Sequence, residues 1–184
     1  MLYSLVILDR DGVINFDSVD YIKSPEEWRP IPGSLEAIAA LNQARCRVVI
    51  ATNQSGIGRG YYTVAVLASI HQKMQDALKK VGGHIDHIYY CPHLPEQACM
   101  CRKPNPGMIW QIKNDFPELF DTAVLVGDSW RDLQAARAGG CRAVLVKTGL
   151  RDYEQCLKNP EFIAFDQLSV YADLATFVRS RLTW

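Results

Sequence analysis

Residues 4–15 read SLVILDRDGVIN. An apolar run of Leu5, Val6, Ile7 and Leu8 stops at Asp9, and a second carboxylate, Asp11, follows on the far side of Arg10. The run is too short for a helix and fits a strand buried on both faces. Similar runs rich in Val, Ile and Leu recur at 48–51, 88–90, 123–126 and 143–146. Between them apolar residues recur at helical spacing: Leu35, Ile38 and Leu41 after a predicted cap at Ser34, then Leu67, Ile70, Met74 and Leu78 after Thr63. Met108, Ile109, Ile112 and Phe116 follow Pro106, and a further helix from Arg131 to Ala138 stops at Gly139 and Gly140. This alternation predicts right-handed crossovers and an α/β fold, a Rossmann-like, doubly wound parallel sheet covered on both sides.

The chain has 184 residues, enough for one well-buried core, and it shows no repeat, low-complexity tract or like-charge block. A single domain over 1–184 is expected. Twenty basic and twenty acidic side chains cancel, which removes the global attraction behind non-specific binding to nucleic acid or anionic membrane. No basic region precedes the first apolar run, and no apolar stretch is long enough to cross a bilayer, so the expectation is a cytoplasmic protein with neither partner. No exposed apolar seam is visible, and a monomer is expected.

Open parallel sheets bind ligands beyond the carboxyl ends of their strands. The residues just past the predicted strands are Asp9, Arg10 and Asp11, then Thr52, Asn53, Gln54 and Ser55, the Cys91 region, and Gly127, Asp128 and Ser129. Arg102 and Lys103 precede the next helix and can face the same crevice. Two carboxylates so close stay ionised only beside a compensating cation. With Asp128 as a third member and no histidine nearby in sequence, the oxygen-rich set suits Mg²⁺, which in turn attracts phosphate. Thr52 offers a hydroxyl and Lys103 a charge for phosphoryl oxygens, and the glycines of NQSGIGRG, residues 53–60, let the backbone turn beside the bound group. Asp9 is then placed to attack phosphorus and form an aspartyl phosphate, while Asp11 protonates the leaving alkoxide and later activates water. Each segment alone also fits a plain turn or helix cap; their joint occurrence in sheet order favours chemistry.

Three of the six cysteines crowd into CPHLPEQACMCRKP, residues 91–104. Cys91, His93, Cys99 and Cys101 offer the ligand set of a closed tetrahedral Zn²⁺ site, which their crowding favours over cysteines that merely pack as small apolar residues; with no open coordination position the zinc would be structural. Arg102 and Lys103 follow the last ligand, so fixing residues 91–101 fixes the cationic pair and lowers the entropy lost on gripping substrate. Cys46, Cys141 and Cys156 read as ordinary buried thiols, and His71, His84 and His87 as helix-end or surface residues.

LDRDGVIN, ATNQSG, CRKPNPG and VGDSWRDLQAARAGG closely resemble the four motifs of the haloacid dehalogenase superfamily of phosphotransferases, over nearly the whole chain. The resemblance implies that fold without a large cap domain and with a small zinc-binding loop. It implies Asp9 as nucleophile, Asp11 as acid/base, and Thr52 and Lys103 as phosphoryl holders. Asp9, Asp128 and the backbone carbonyl of Asp11 would ligate Mg²⁺, with Asp132 as a partner of the acidic site. The zinc-bearing loop is similar to that of two groups, phosphatases of heptose bisphosphates and of histidinol phosphate. TNQSGIGRG, YIKSPEEW and GDSWRDLQAA favour the first, although the short stretch between His93 and Cys99 resembles the second. A sugar bisphosphate implies a place in the synthesis of activated heptose for lipopolysaccharide or other products. It also implies that Asp17, Ser18, Val19, Asp20, Thr52, Asn53, Gln54 and Ser55 contact substrate. Arg102 would then read the far phosphate, with Arg59 a further candidate.

Two readings of other classes stand beside this one. A phospho-accepting receiver domain also joins acidic groups, Thr and Lys on a parallel sheet, but its acceptor sits on a middle strand, not at the end of the first. A zinc-ribbon module for nucleic acid would need a basic stripe interleaved with aromatics, which this chain lacks.

Overall fold

A computed structural model describes residues 3–150 and 168–182; Cys156 lies outside them. Six strands form one parallel sheet: β1 (Leu5–Leu8), β2 (Arg47–Asn53), β3 (His87–Cys91), β4 (Val124–Gly127), β5 (Arg142–Val146) and β6 (Ser169–Tyr171). Their spatial order is β3-β2-β1-β4-β5-β6. Five described helices accompany them: α1 (Ser34–Gln43), α2 (Val64–Lys80), α3 (Gly107–Asp115), α4 (Trp130–Gly139) and α5 (Leu174–Arg181).

The central strands β1 and β4 are buried along their whole length because successive side chains enter opposite cores. Val6, Leu8, Val48, Ile50, Val124 and Val126 join one core with Ile38 of α1, Met74 of α2 and Phe177 of α5. Leu5, Ile7, Val49, Ala51 and Leu125 join the other with Ile109 and Ile112 of α3 and Leu133 of α4. Chain order reverses at β1, which is flanked by β2 and β4. A crevice opens at that reversal beyond the strand ends. Asp9 follows β1 and Asp128 follows β4, so both stand at its mouth. The 9–33 connection is the longest between elements among the described residues, and it contains only a short 3-10 turn, Pro25–Glu27. No described helix is long and apolar enough to cross a membrane.

Some local expectations change. Ser34 begins α1 instead of capping it: Gly33, at φ 83°, holds the cap position, and the Ser34 hydroxyl donates to the Val13 carbonyl at 2.9 Å. Thr63 does cap α2, accepting the Val66 N–H. The sequence reading held five strands; β6 is a sixth, three half-buried residues with no apolar run to announce it. α5 follows it, capped by Asp173, whose carboxylate accepts the Thr176 N–H at 2.6 Å.

Phe177 is fully buried and packs its ring on Tyr3 and Tyr171. Replacing it with Ala removes contacts that join α5 and β6 to the central core, with an expected cost of about 3–5 kcal/mol. Urea unfolding followed by circular dichroism measures this; a cost below about 1 kcal/mol would show that α5 contributes little to the core.

Candidate active site

β1 delivers Asp9 with its N–H donated to the Val126 carbonyl at 2.9 Å, which ties the end of β1 to β4. Lys103, 1% exposed, sets its ammonium 2.8 Å from Asp9 Oδ2 and 2.6 Å from Asp132 Oδ1, and donates to the Ala51 carbonyl at 2.7 Å. The ammonium thus ion-pairs with two carboxylates and donates to one carbonyl. The other Asp132 oxygen accepts the Ser129 N–H at 3.1 Å and its hydroxyl at 2.6 Å, closing the first turn of α4.

Asp9, Asp128 and Asp132 each bring a carboxylate oxygen within 4.8 Å of the others. Burial, reinforced by the other carboxylates, pushes Asp9 up to about 7 and Asp128 up to about 9. Burial acts the same way on Asp132, but the Lys103 charge and the Ser129 hydrogen bonds outweigh it and hold the group below the carboxylate range. Burial pulls Lys103 down, and Asp132 and Asp9 overcome that and raise it. A Cβ on Gly12 or on Gly149 would strike the Asp128 carboxylate, and Gly12 has a φ of 78°, so that carboxylate lies in a cradle only glycine permits. Hard oxygen donors that resist ionisation while uncompensated fit a divalent cation.

Asp11 is held by a second network. Its carboxylate takes a bidentate pair from Arg10, at 3.0 and 2.9 Å, and single hydrogen bonds from Asn15 at 2.8 Å and Gln54 at 2.9 Å. Although burial opposes it, the Arg10 charge and these donors lower its pKa. Arg10 is itself 1% exposed and rests against His71 Nε2 at 3.3 Å. His71 is half-buried on α2, and burial and the Arg10 charge push it down to about 4, so it is neutral. His84 and His87 are exposed, as expected.

The crevice has a volume of about 390 Å³. Of the residues read from the sequence, Asp9, Asp11, Asp17, Ser18, Val19, Thr52, Asn53, Gln54, Ser55, Arg102, Lys103 and Asp128 line it. Asp20 does not; it is exposed, and its N–H donates to Ser18 Oγ at 3.2 Å. Arg59 is also outside the lining, its Nε donated to the Tyr21 hydroxyl at 2.9 Å. Gln54 is 2% exposed and its amide is engaged within the wall, donating to Asp11 and Thr52 and accepting from Arg10 and Tyr62. Ser129, expected beyond the end of its strand, also lines the crevice, as do Tyr21, Tyr62 and Arg131, which were not expected there. Tyr21 carried a faint signal in YIKSPEEW; Arg131 sits inside the recognised GDSWRD motif, hidden as an ordinary surface position of a helix.

Cys91, His93, Cys99 and Cys101 converge at the end of β3 and in the following loop. The three sulfurs lie 3.3–3.4 Å apart, and His93 Nδ1 is 3.5 Å from Cys91 Sγ and 3.2 Å from Cys101 Sγ. These separations far exceed a disulfide bond of about 2.05 Å and approach the edges of a tetrahedron around one soft cation. Asn53 adds an anchor that sequence reasoning missed: its side-chain amide donates to the Lys103 carbonyl at 2.9 Å and accepts the Lys103 N–H at 3.1 Å. The Lys103 backbone is thus gripped from β2 as well as by the cysteine loop. Cys46 is buried as expected, and Cys141 is half-buried.

The profile of the HAD-hydrolase-like family matches residues 100–171. The D-glycero-beta-D-manno-heptose-1,7-bisphosphate 7-phosphatase of Pseudomonas aeruginosa is 55% identical over 149 residues, covering 81% of this chain and 84% of that protein. The protein of the same name from Bordetella bronchiseptica is 53% identical, covering 79% and 81%. Among solved structures, the D,D-heptose 1,7-bisphosphate phosphatase of B. bronchiseptica complexed with magnesium and phosphate superposes with a TM-score of 0.90, at 46% identity over 97% of this chain and 98% of that one.

Folding leaves protons on Asp9 and Asp128 that the unfolded chain releases near pH 4, so without a divalent cation these two groups lower stability as pH rises from about 4 to about 9. Mg²⁺ uptake at pH 7 is therefore expected to release roughly one proton or more and to tighten with rising pH. Calorimetric titration in buffers of different ionisation enthalpy reads the release; proton-free uptake would mean that both groups are already ionised. Elemental analysis of Cys99→Ser should show loss of a stoichiometric soft metal with Mg²⁺ uptake retained, and an unchanged soft-metal content would remove Cys99 from the ligand set.

Proposed function

This chain belongs to the haloacid dehalogenase-like hydrolases, among the heptose bisphosphate phosphatases, and on that footing we propose that it removes the 7-phosphate of D-glycero-β-D-manno-heptose 1,7-bisphosphate through an aspartyl phosphate. The observation that carries the reading is the meeting of Asp9, Asp128 and Lys103 at the point where strand order reverses. The β-anomer follows the names of the relatives above 50% identity.

In this reading an Asp9 carboxylate oxygen attacks phosphorus, the bond from phosphorus to O7 breaks, and the leaving alkoxide takes a proton from Asp11. Arg10 keeps Asp11 ionised in the free protein; the like charge of an entering phosphate raises its proton affinity and readies it as an acid. Thr52 Oγ accepts from Gln54 at 2.9 Å, which leaves its own O–H to donate to a phosphoryl oxygen. Phosphoryl oxygens then take over the ammonium contact that Lys103 makes with Asp9. Mg²⁺ held by Asp9, Asp128 and the Asp11 carbonyl would offset the repulsion between nucleophile and phosphate. Water deprotonated by Asp11 next attacks phosphorus, freeing Asp9 and inorganic phosphate. Zn²⁺ at Cys91, His93, Cys99 and Cys101 would be structural, holding Arg102 and Lys103 in place. We infer a monomer acting in the cytoplasm on a small sugar phosphate.

Phosphate release from the β- and α-anomers of the heptose bisphosphate and from histidinol phosphate should rank the β-anomer first; faster release from histidinol phosphate would overturn the substrate. Asp9→Asn should reduce turnover at least about a thousandfold while circular dichroism stays unchanged. Retained turnover would exclude Asp9 as the nucleophile.

A further inference from the structure

Arg131 occupies a position that local physics disfavours. It is the second residue of α4, in the turn where the helix dipole opposes a cation. It lines the same crevice as Arg102, and the two like charges repel. It forms no salt bridge among the described residues; its charge acts on Asp132 only from a distance. Residues placed against local preference in a crevice point to a ligand that repays the conflict.

The other cations near the crevice are engaged. Arg10 is paired with Asp11, Lys103 with Asp9 and Asp132, and Arg59 with the Tyr21 hydroxyl. Arg102 uses one N–H on the His93 carbonyl at 3.3 Å, leaving most of its fork available. Arg102 thus stands on the cysteine loop and Arg131 on α4, two separately anchored elements facing one space. A dianion between two guanidinium groups converts their repulsion into attraction, and each fork matches phosphate oxygens in pairs.

Resting on the activity proposed above, we propose that Arg131 joins Arg102 in holding the phosphate that is not hydrolysed, and that Arg131 thereby sets the preference for a bisphosphate over a monophosphate. The substrate is then gripped at both ends, by the acidic centre at O7 and by the paired arginines at the other phosphate.

The test compares kcat/KM for heptose 1,7-bisphosphate and heptose 7-phosphate in the unaltered protein, Arg131→Ala and Arg131→Lys. Arg131→Ala should lower the preference for the bisphosphate by about 10- to 100-fold, with the loss entering through KM. Arg131→Lys, which keeps the charge and loses the fork, should recover part of that preference. A preference unchanged in Arg131→Ala, whether the two rates fall together or not at all, would overturn the inference and assign Arg131 to the reacting centre or to the scaffold. No release from the bisphosphate by the unaltered protein would instead overturn the activity itself, and the inference with it.

Discussion

The ammonium of Lys103 is the contact on which the rest of the site depends. One buried cation joins the carboxylates after β1 and in α4 to a carbonyl on β2. Without it, Asp9 and Asp132 would be like charges forced together at low dielectric, and both could not stay ionised. With it, Asp132 stays ionised, while burial pushes Asp9 up to about 7 and Asp128 up to about 9, so these two give up their protons most readily to a cation. The acidic donors are gathered at one point, and a chain with no net charge can therefore still hold a cation.

Placing that ammonium requires a backbone that does not move. Asn53 clamps Lys103 on both its N–H and its carbonyl, while the cysteine and histidine donors gather the preceding loop into one knot. Asn105 adds a hydrogen bond from its side chain to the Cys99 carbonyl at 2.9 Å. The thiol cluster is therefore part of the same apparatus as the acidic centre, although it contributes no group to the crevice lining. Its influence passes along the chain through Arg102 to Lys103.

Much of this is legible in the sequence because the chemistry follows apolar strands. Asp9, Thr52 and Asp128 are marked by the point where a buried run ends, and the four metal donors by their crowding. β6 is not legible, because three half-buried residues carry no periodicity. His71 reads as a surface residue from its place on α2, and only the path of the Arg10 side chain reveals that its half-buried ring meets that guanidinium. Gln54 reads as a substrate contact, yet its amide is fully engaged in linking Asp11, Thr52, Arg10 and Tyr62. Tyr62 reaches the crevice through tertiary packing, which spacing does not encode, and Arg131, inside GDSWRD, is masked as an ordinary helix position.

The side chains of Asp9 and Asp11 are 14% and 20% exposed at the crevice, so solvent has a route to both carboxylates. A phosphoryl group parked on such a carboxylate meets an inexhaustible acceptor before any second sugar can arrive. Such access favours discharge to water over transfer between alcohols, and suits committing a metabolite irreversibly rather than shuffling phosphate around it.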